Sequence, residues 1–139
     1  MEKTDNRFSK TERLTSKTII QEIFDNGTVL YLHPFKLFYK LNEVSCNRIL
    51  VTVPKRLHKR AVDRNLLKRR IRESYRLNKT IISTVPYIDI NLVYTSTEIL
   101  DFKQINKKIS DVLAKIKKSI AVAGKNTIEG SSTTLHATD

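Results

Sequence analysis

Residues 55–79, KRLHKRAVDRNLLKRRIRESYRLNK, carry most of the charge of this 139-residue chain, and the rest of the sequence is organised around them. Eleven of the 26 lysines and arginines lie in this segment against two acids, Asp63 and Glu73, which gives it +9 of the formal +12 of the whole chain. The remainder of the chain is therefore nearly balanced. A field concentrated in one helix-sized segment predicts a polyanionic partner.

Residues 61–78 contain neither Pro nor Gly and predict a helix with two unlike sides. Leu67, Ile71 and Tyr75 recur at helical spacing on the side that we expect to pack against the protein. The opposite side forms a basic ridge within a sector of about 100°, and its members are Asn65, Lys68, Arg69, Arg72 and Arg76. Solvated helix faces usually mix charges of both signs, whereas this ridge is expected to contain no acid. Arginine forks match phosphate oxygens bidentately, so the ridge is typical of a surface that binds a nucleic-acid backbone.

The flanking sequence predicts an antiparallel-rich sheet with helices beside it, which is an α+β fold. A helix is expected over residues 14–26, capped by Thr15 or Ser16 and ended by Gly27 in the left-handed conformation. The other predicted elements are two strands within 28–41 with a break near His33-Pro34, a strand Arg48–Val53, a loop over 55–60, a strand Tyr87–Tyr94 and a helix over 101–120. Residues 1–120 are predicted to form one RNA-binding domain, and residues 121–139 a flexible polar tail.

The predicted strand Phe35–Leu41 suggests a second binding surface. Alternation places Phe38 between Lys36 and Lys40 on one face of this strand. The other face is expected to be the core face, with Phe35, Leu37, Tyr39 and Leu41. Proteins that bind single-stranded nucleic acid combine stacking rings with basic groups in this way. The alternative is a partly exposed Phe38 beneath a neighbouring element, and the sequence does not choose between the two. Ile20 and Phe24 lie one helical turn apart and could border a groove.

The sequence lacks the usual patterns of catalytic groups. It has three glycines and no glycine-rich phosphate loop, its histidines stand apart from any Ser or Cys nucleophile pattern, and its acids do not cluster as a two-metal site. The single Cys46 excludes an internal disulfide. No apolar run approaches the roughly 18 residues of a membrane span, and residues 1–13 contain no apolar signal core, so we expect a cytoplasmic protein. Binding is predicted rather than catalysis by side chains, and no metal ligands are assigned.

Residues 61–73, AVDRNLLKRRIRE, closely resemble the signature of the bacterial ribonuclease P protein subunit, approximately A-x-x-R-N-R-x-K-R-x-x-R-E. The matching residues are Arg64, Asn65, Lys68, Arg69, Arg72 and Glu73. The resemblance covers about residues 7–118, through Arg13-Leu14, the helix ending at Phe24 and Gly27, and Val53-Pro54-Lys55-Arg56. The chain departs from the family pattern at Leu66 in place of Arg, at Arg70 in place of an aliphatic residue, at Phe38 in place of Tyr and at Ile20 in place of an aromatic residue.

The resemblance implies an αβββαβα two-layer sandwich, of a type also found in a ribosomal protein. In this fold the basic helix forms an atypical left-handed crossover. The implied function is that of an accessory subunit of an endoribonuclease whose RNA is the catalyst, and which removes the 5′ leader from precursor tRNA. The Mg²⁺ used in this hydrolysis would be held mainly by the RNA. The implied partners are the catalytic RNA and precursor tRNA, with no membrane and no required protein partner.

Two sets of site residues follow from the resemblance together with the charge pattern. The catalytic RNA is expected to contact Arg13, Lys55, Arg56, Lys59, Arg60, Arg64, Asn65, Lys68, Arg69, Arg72 and Arg76. The leader is expected to contact Ile20, Phe24, Lys36, Phe38 and Lys40. A structural RNA-binding protein of ribosomal type, without a leader cleft, is the main alternative. A DNA-binding module and a protein-only nuclease are disfavoured because the sequence shows no helix-turn-helix pattern and no acid cluster.

Overall fold

The computed structural model describes residues 12–83 and 86–130 of the chain. Its elements are helix α1 (Lys17–Asn26), strands β1 (Thr28–Leu32), β2 (Phe35–Leu41) and β3 (Arg48–Thr52), helix α2 (Ala61–Asn78), strand β4 (Ile88–Tyr94) and helix α3 (Phe102–Gly130). A short 3₁₀ segment, Lys79–Ile82, follows α2. This order confirms the αβββαβα arrangement that the resemblance implies.

Within the described residues, four strands form one sheet in the order β1-β2-β4-β3. Strand β2 pairs antiparallel with both β1 and β4, and its register with β4 runs from Phe35↔Tyr94 to Leu41↔Ile88. Strand β3 pairs parallel with β4, so α2 is the crossover that connects them. Parallel neighbours need such a crossover because the chain must return to the same end of the sheet. The left hand of this crossover stays a prediction.

Helices α2 and α3 cover one face of the sheet and enclose the main core. Leu67, Ile71 and Tyr75 of α2 are at most 1% exposed, as their helical spacing predicts. Helix α3 and the alternate residues of the strands complete this core, among them Leu37, Ile90, Leu92, Ile105, Ile109, Val112, Leu113 and Ile116. Burial of one such side chain contributes about 2 kcal/mol. The apolar side of α2 therefore fixes this helix on the sheet and directs its other side outward.

Helix α1 lies on the opposite face of the sheet. Its N-cap is Ser16, whose Oγ accepts a hydrogen bond from the Ile19 amide at 3.4 Å, so the helix begins at Lys17 rather than at the predicted residue 14. Leu14 is instead buried, and its amide donates to the Ile49 carbonyl oxygen at 3.0 Å. The chain before α1 therefore lies along the edge strand β3.

Gly27 ends α1 for a reason that differs from the prediction. Its φ is −79°, which is outside the left-handed region. A Cβ at this position would lie 2.5 Å from the Ile23 carbonyl oxygen and 2.8 Å from the Tyr39 carbonyl oxygen. The glycine is therefore required because the last turn of α1 and strand β2 approach its backbone closely.

Two further predictions about the elements are corrected. Leu41, expected on the core face of β2, is 55% exposed because it is the last residue of the strand, where packing falls away. Helix α3 continues to Gly130, so the predicted tail is helical over residues 121–130. An isolated glycine such as Gly124 costs a helix only about 1 kcal/mol, so the helix can continue through it. Residues 131–139 lie outside the described residues. In the described part of the chain, no helix combines the length and the apolar character needed to cross a membrane.

Candidate nucleic-acid interface

The basic ridge lies on the outward side of α2, as the helical spacing predicts. Asn65 and Arg69 are exposed, and Lys68, Arg72 and Arg76 are partly exposed. A concave surface runs along this side of the helix and is lined by Asn65, Arg69, Arg72, Glu73 and Arg76. Because α2 is held on the sheet by its buried side, these groups project from a fixed backbone. The structure therefore brings most of the ridge residues onto one surface.

Arg13 adds a further guanidinium group to this surface. The backbone of Arg13 forms an isolated parallel β-bridge with Ile49 of β3. The adjoining Glu12 forms an ion pair with Lys79 at 2.8 Å, so the segment that carries Arg13 is anchored at two points. Partial burial and the positive charge of Arg13 lower the pKa of Arg72. Arg13 and Arg72 therefore lie close enough to interact electrostatically on this surface.

Glu73 corrects the prediction that the ridge contains no acid. It lines the same concave surface, and its carboxylate accepts hydrogen bonds from Arg76 Nε at 3.1 Å and from Arg76 Nη2. These bonds, together with the positive charge, hold the pKa of Glu73 below its ordinary value. The spacing of three residues on one helix places the two side chains next to each other. Part of the charge of Arg76 is therefore balanced within the protein.

Arg64 holds the basic loop, defined as residues 55–60. Its Nη1 donates to the carbonyl oxygens of His58 at 3.0 Å and of Lys59 at 2.9 Å. The ring of His58 is buried, and its Nε2 lies 2.7 Å from the Ser96 carbonyl oxygen, which anchors the loop from the other side. The four cations of the loop are all exposed, namely Lys55, Arg56, Lys59 and Arg60. Arg64 thus positions these cations beside the first turn of α2.

The departure from the family signature at Arg70 has a structural role. Its Nη1 donates to the carbonyl oxygen of Leu100, in the segment before α3. Leu66, one turn earlier on α2, is partly buried. Arg70 therefore connects α2 to the start of α3 and does not extend the basic ridge.

Phe38 lies beneath a neighbouring element, as in the alternative interpretation, and is covered more fully than the partly exposed ring which that alternative describes. It is 8% exposed and packs beneath α1 with Leu14 and Ile23. Its ring meets the ring of Phe24 edge-on, with centroids 4.7 Å apart and an angle of 61° between the planes. Phe24 is 43% exposed, and Ile20 is partly buried against the same cluster. The exposed ring of this pair is therefore Phe24, which Phe38 supports from below.

The two lysines predicted for the leader lie on the same face of the sheet. Lys36 is partly exposed, and its Nζ lies 5.3 Å from the centroid of the Phe38 ring. The Lys40 side chain is 40% exposed, and its Nζ lies 3.9 Å from a carboxylate oxygen of Glu22 on α1. The structure therefore brings the predicted leader residues together as one aromatic face, which consists of Ile20, Phe24, Lys36, Phe38 and Lys40.

Tyr31 extends this face and is not identified by the sequence analysis. The register of β1 and β2 pairs Tyr31 with Lys36, whose Nζ lies 5.4 Å from the centroid of the Tyr31 ring. The Tyr31 side chain is 61% exposed. Alternation along β1 gives the face on which Tyr31 lies, but only the register across His33-Pro34 brings it next to Lys36.

The described acids near the basic ridge, Asp63 and Glu73, each lie next to an arginine. Glu73 pairs with Arg76, and Asp63 lies 3.9 Å from Arg60. Within residues 12–83 and 86–130, no three His, Cys, Asp or Glu side chains come together as ligands for a metal ion. What the interface offers is charge and aromatic surface, which suit the binding of an anionic partner.

Comparisons with known proteins all point to the same family. The chain matches the family model described as Ribonuclease P over residues 8–117. The ribonuclease P protein component of Porphyromonas gingivalis is 32% identical over 120 residues, covering 81% of this chain and 88% of that protein. The ribonuclease P protein component of a Geobacter species is 33% identical over 119 residues, covering 85% of this chain and 99% of that protein.

Solved structures of similar sequence share the fold. The RNase P protein of Staphylococcus aureus matches with a TM-score of 0.66 at 26% identity, covering 80% of this chain and 99% of that chain. The RNase P protein of Thermotoga maritima matches with a TM-score of 0.66 at 28% identity, covering 75% of this chain and 96% of that chain. The region matched by the family model includes the basic loop, the basic ridge and the aromatic face. The chain therefore belongs to the ribonuclease P protein component family.

Proposed function

We propose that this chain is the protein subunit of ribonuclease P, which assists a catalytic RNA in removing the 5′ leader from precursor tRNA. The observation that carries the proposal is the basic ridge of α2, directed outward by the burial of Leu67, Ile71 and Tyr75. A fixed row of cations without catalytic side chains suits docking onto RNA rather than cleavage. The endonuclease activity belongs to the assembled ribonucleoprotein, which we place in the cytoplasm with no further protein required.

The basic ridge and the basic loop are proposed to bind the catalytic RNA. Arg13 and Arg72 lie on this surface and are proposed to contact phosphates of the RNA. Arg69 and Lys68 extend the row of cations, and Asn65 adds an amide that can bond to phosphate or sugar oxygens. The exposed cations of the loop lengthen the same surface. Each phosphate that is neutralised releases counterions, so the affinity is expected to fall steeply with salt.

The aromatic face is proposed to bind the 5′ leader. Phe24 offers an exposed ring on which a base can stack, while Phe38 holds that ring in place from below. Lys36 and Lys40 supply positive charge for the leader phosphates, and Ile20 borders the surface. Stacking on an aromatic ring is worth about 1–3 kcal/mol per base and tolerates any sequence. Since α1 and α2 lie on opposite faces of the sheet, one subunit can hold the catalytic RNA and the leader together.

The hydrolysis itself is proposed to take place on the RNA, where Mg²⁺ is held mainly by RNA groups and supplies Lewis-acid chemistry. The proposal assigns no metal to the protein, because no three potential ligand side chains come together among the described residues. The protein contributes by reducing phosphate repulsion and by holding the leader. We therefore expect its effect to be largest when Mg²⁺ is scarce.

Reconstitution with a bacterial ribonuclease P RNA tests this proposal. Precursor tRNA labelled at its 5′ end is incubated at low Mg²⁺ with the RNA alone, with the protein alone and with both, and the cleavage position is read from the length of the released leader. We expect efficient formation of the mature 5′ end only when both are present. A protein that gives no stimulation would contradict the proposal, and cleavage by the protein alone would assign the activity to the chain itself.

A structural RNA-binding protein of ribosomal type, without a leader cleft, is the second candidate. The observation in its favour is the burial of Phe38, because only one ring of the predicted leader set is then well exposed. The affinities of the assembled complex for precursor and mature tRNA separate the two candidates. Leader binding is supported if the wild-type complex prefers the precursor and the Phe24→Ala variant shows a smaller preference. Equal affinities of the wild-type complex for both tRNAs would support the structural role.

A further inference from the structure

Strand β1 presents an exposed aromatic ring outside the set predicted for the leader. Tyr31 is 61% exposed and is the most exposed aromatic side chain among the described residues. It lies on the same side of the sheet as Phe38, because its register partner is Lys36 and residues two positions apart share a face. Helix α1 packs mainly against β2 and β4, and Val29 of β1 is 42% exposed on the same side. This part of the sheet is therefore open.

Two ammonium groups flank Tyr31. Lys36 Nζ lies 5.4 Å from the centroid of the Tyr31 ring and 5.3 Å from that of Phe38, so it sits close to both rings. Cation–π attraction acts within about 6 Å of a ring centroid. Lys115 of α3 reaches the edge of the sheet and donates to the Tyr31 backbone carbonyl oxygen at 2.7 Å. Tyr31 thus has one ammonium group beside its ring and a second on its backbone carbonyl oxygen.

These features favour single-stranded RNA over other partners. An apolar protein surface would bury two ammonium groups without a counter-charge, which is costly. Addition of a foreign strand to the edge of β1 would compete with Lys115 for the Tyr31 carbonyl oxygen. A single-stranded nucleotide satisfies all three groups, since its base can stack on the ring while its phosphates meet the lysines.

We propose that Tyr31, Lys36 and Lys115 form a second base-stacking site, the β1 platform, which binds one nucleotide of the leader beyond the part held by Phe24. The inference rests on the proposed function, because it takes the leader as the occupant. Phe38 pairs with Val29, so Tyr31 is its diagonal neighbour, and such neighbours lie about 7 Å apart. Lys36 lies close to the Tyr31 ring and to Phe38, the buried ring that supports Phe24, so its ammonium group can meet a phosphate of the nucleotide stacked on Tyr31.

A series of leader lengths tests the β1 platform in the complex reconstituted with ribonuclease P RNA. Dissociation constants are measured for precursor tRNAs whose leaders grow one nucleotide at a time. With the wild-type protein, the affinity should rise in two steps, first for the Phe24 ring and then for the platform. Tyr31→Ala should remove only the second step, a loss of about fivefold or more, because this is the value of one base–aromatic stack. Tyr31→Phe keeps the ring and should keep both steps.

Tyr87→Ala is the matched control for this series. It removes a tyrosine that is 48% exposed and precedes the first residue of β4. The β4 partner of Lys36 is Val93, near the other end of that strand, so Tyr87 lies at the end of the sheet away from the platform. We expect this variant to bind every leader as the wild type does. Because Tyr31 is also exposed, Tyr31→Ala should retain the wild-type Tm and the wild-type affinity for the RNA subunit.

The outcomes separate the platform from the proposed function. A second step that survives in Tyr31→Ala would overturn the platform while the first step upholds leader binding. An equal loss at every leader length, or for mature tRNA, would also overturn it, since Tyr31 would then act on assembly. A wild-type complex whose affinity does not depend on the leader at all would remove the proposed function, and the platform with it.

Discussion

Phe38→Ala should cost far more stability than Phe24→Ala, although each removes one ring of the same pair. Phe38 is 8% exposed and packs with Leu14 and Ile23, whereas Phe24 is 43% exposed. Truncation of a buried Phe to Ala costs about 3–5 kcal/mol of unfolding free energy. Because a single helix covers Phe38, we expect its truncation to cost an amount near the lower end of this range. Phe24 is only about half covered, so its truncation should cost about 1 kcal/mol, half of the usual transfer free energy.

Urea unfolding followed by circular dichroism gives the free energy of unfolding of each variant, and an unchanged m-value shows that the comparison is valid. The same preparations, assembled with ribonuclease P RNA, give the ratio of the affinities for precursor and mature tRNA. Phe24→Ala should lower this ratio at nearly unchanged stability, whereas Phe38→Ala should lower both quantities because Phe24 loses its support. Phe38→Leu keeps an apolar side chain and should recover most of the stability. Equal losses of stability in the two alanine variants would refute the burial argument.

The basic loop, the end of α1 and the acid of the ridge each offer one further test. Arg64→Ala removes both bonds to the loop carbonyls, so the amides of Leu57 and His58, which donate to the Pro54 carbonyl oxygen, should exchange hydrogen faster while α2 stays protected; unchanged exchange would contradict the positioning role. Gly27→Ala places a methyl group against two backbone carbonyls and should lower the free energy of unfolding in urea by about 1–3 kcal/mol; wild-type stability would show that the backbone relaxes around it. Arg76 lowers the pKa of Glu73, so this pair stabilises the fold above the ordinary glutamate pKa and loses that effect as the pH falls through the lowered value. Unfolding measured across the acid range should therefore depend less on pH in Glu73→Gln, by a small amount for so exposed a pair, and an unchanged slope would count against the pairing.

Elements that depend on local periodicity could be predicted from the sequence. The bounds of α2 and β2 agree with the prediction because each has a regular pattern of apolar residues. The role of Gly27 could not be predicted, since it depends on the approach of β2 to the last turn of α1. The extension of α3 to Gly130 was hidden by small and polar residues that suit a helix and a tail equally well.

The candidate site shows the same division between local and tertiary information. Alternation gives the face on which Phe38 lies, but its burial depends on α1, which lies elsewhere in the chain. The helical wheel gives the side of α2 from which Arg64 departs, but not the reach of a long side chain back to the loop before the helix. Tyr31 could not be recognised because its partner Lys36 is brought to it by strand register. Glu73 could have been recognised, since a spacing of three residues before Arg76 is a local signal.

A titration of the protein into a fixed amount of ribonuclease P RNA and labelled precursor tRNA, at low Mg²⁺, tests whether the basic ridge docks this chain onto the catalytic RNA. Arg69 is an exposed member of the basic ridge, and one hydrogen bond to a charged group is worth about 1.5–3 kcal/mol. Arg69→Ala should therefore shift the half-maximal protein concentration upward by about tenfold or more at an unchanged maximum rate. Lys103→Ala removes an exposed lysine of α3 and should reproduce the wild-type curve. We expect the mature 5′ end to form only when the protein is present. We also expect Arg69→Ala to need the higher protein concentration given above. An Arg69→Ala curve that overlays the wild type would show that the ridge does not dock the protein, and a wild-type protein without effect would show that the chain does not assist the RNA.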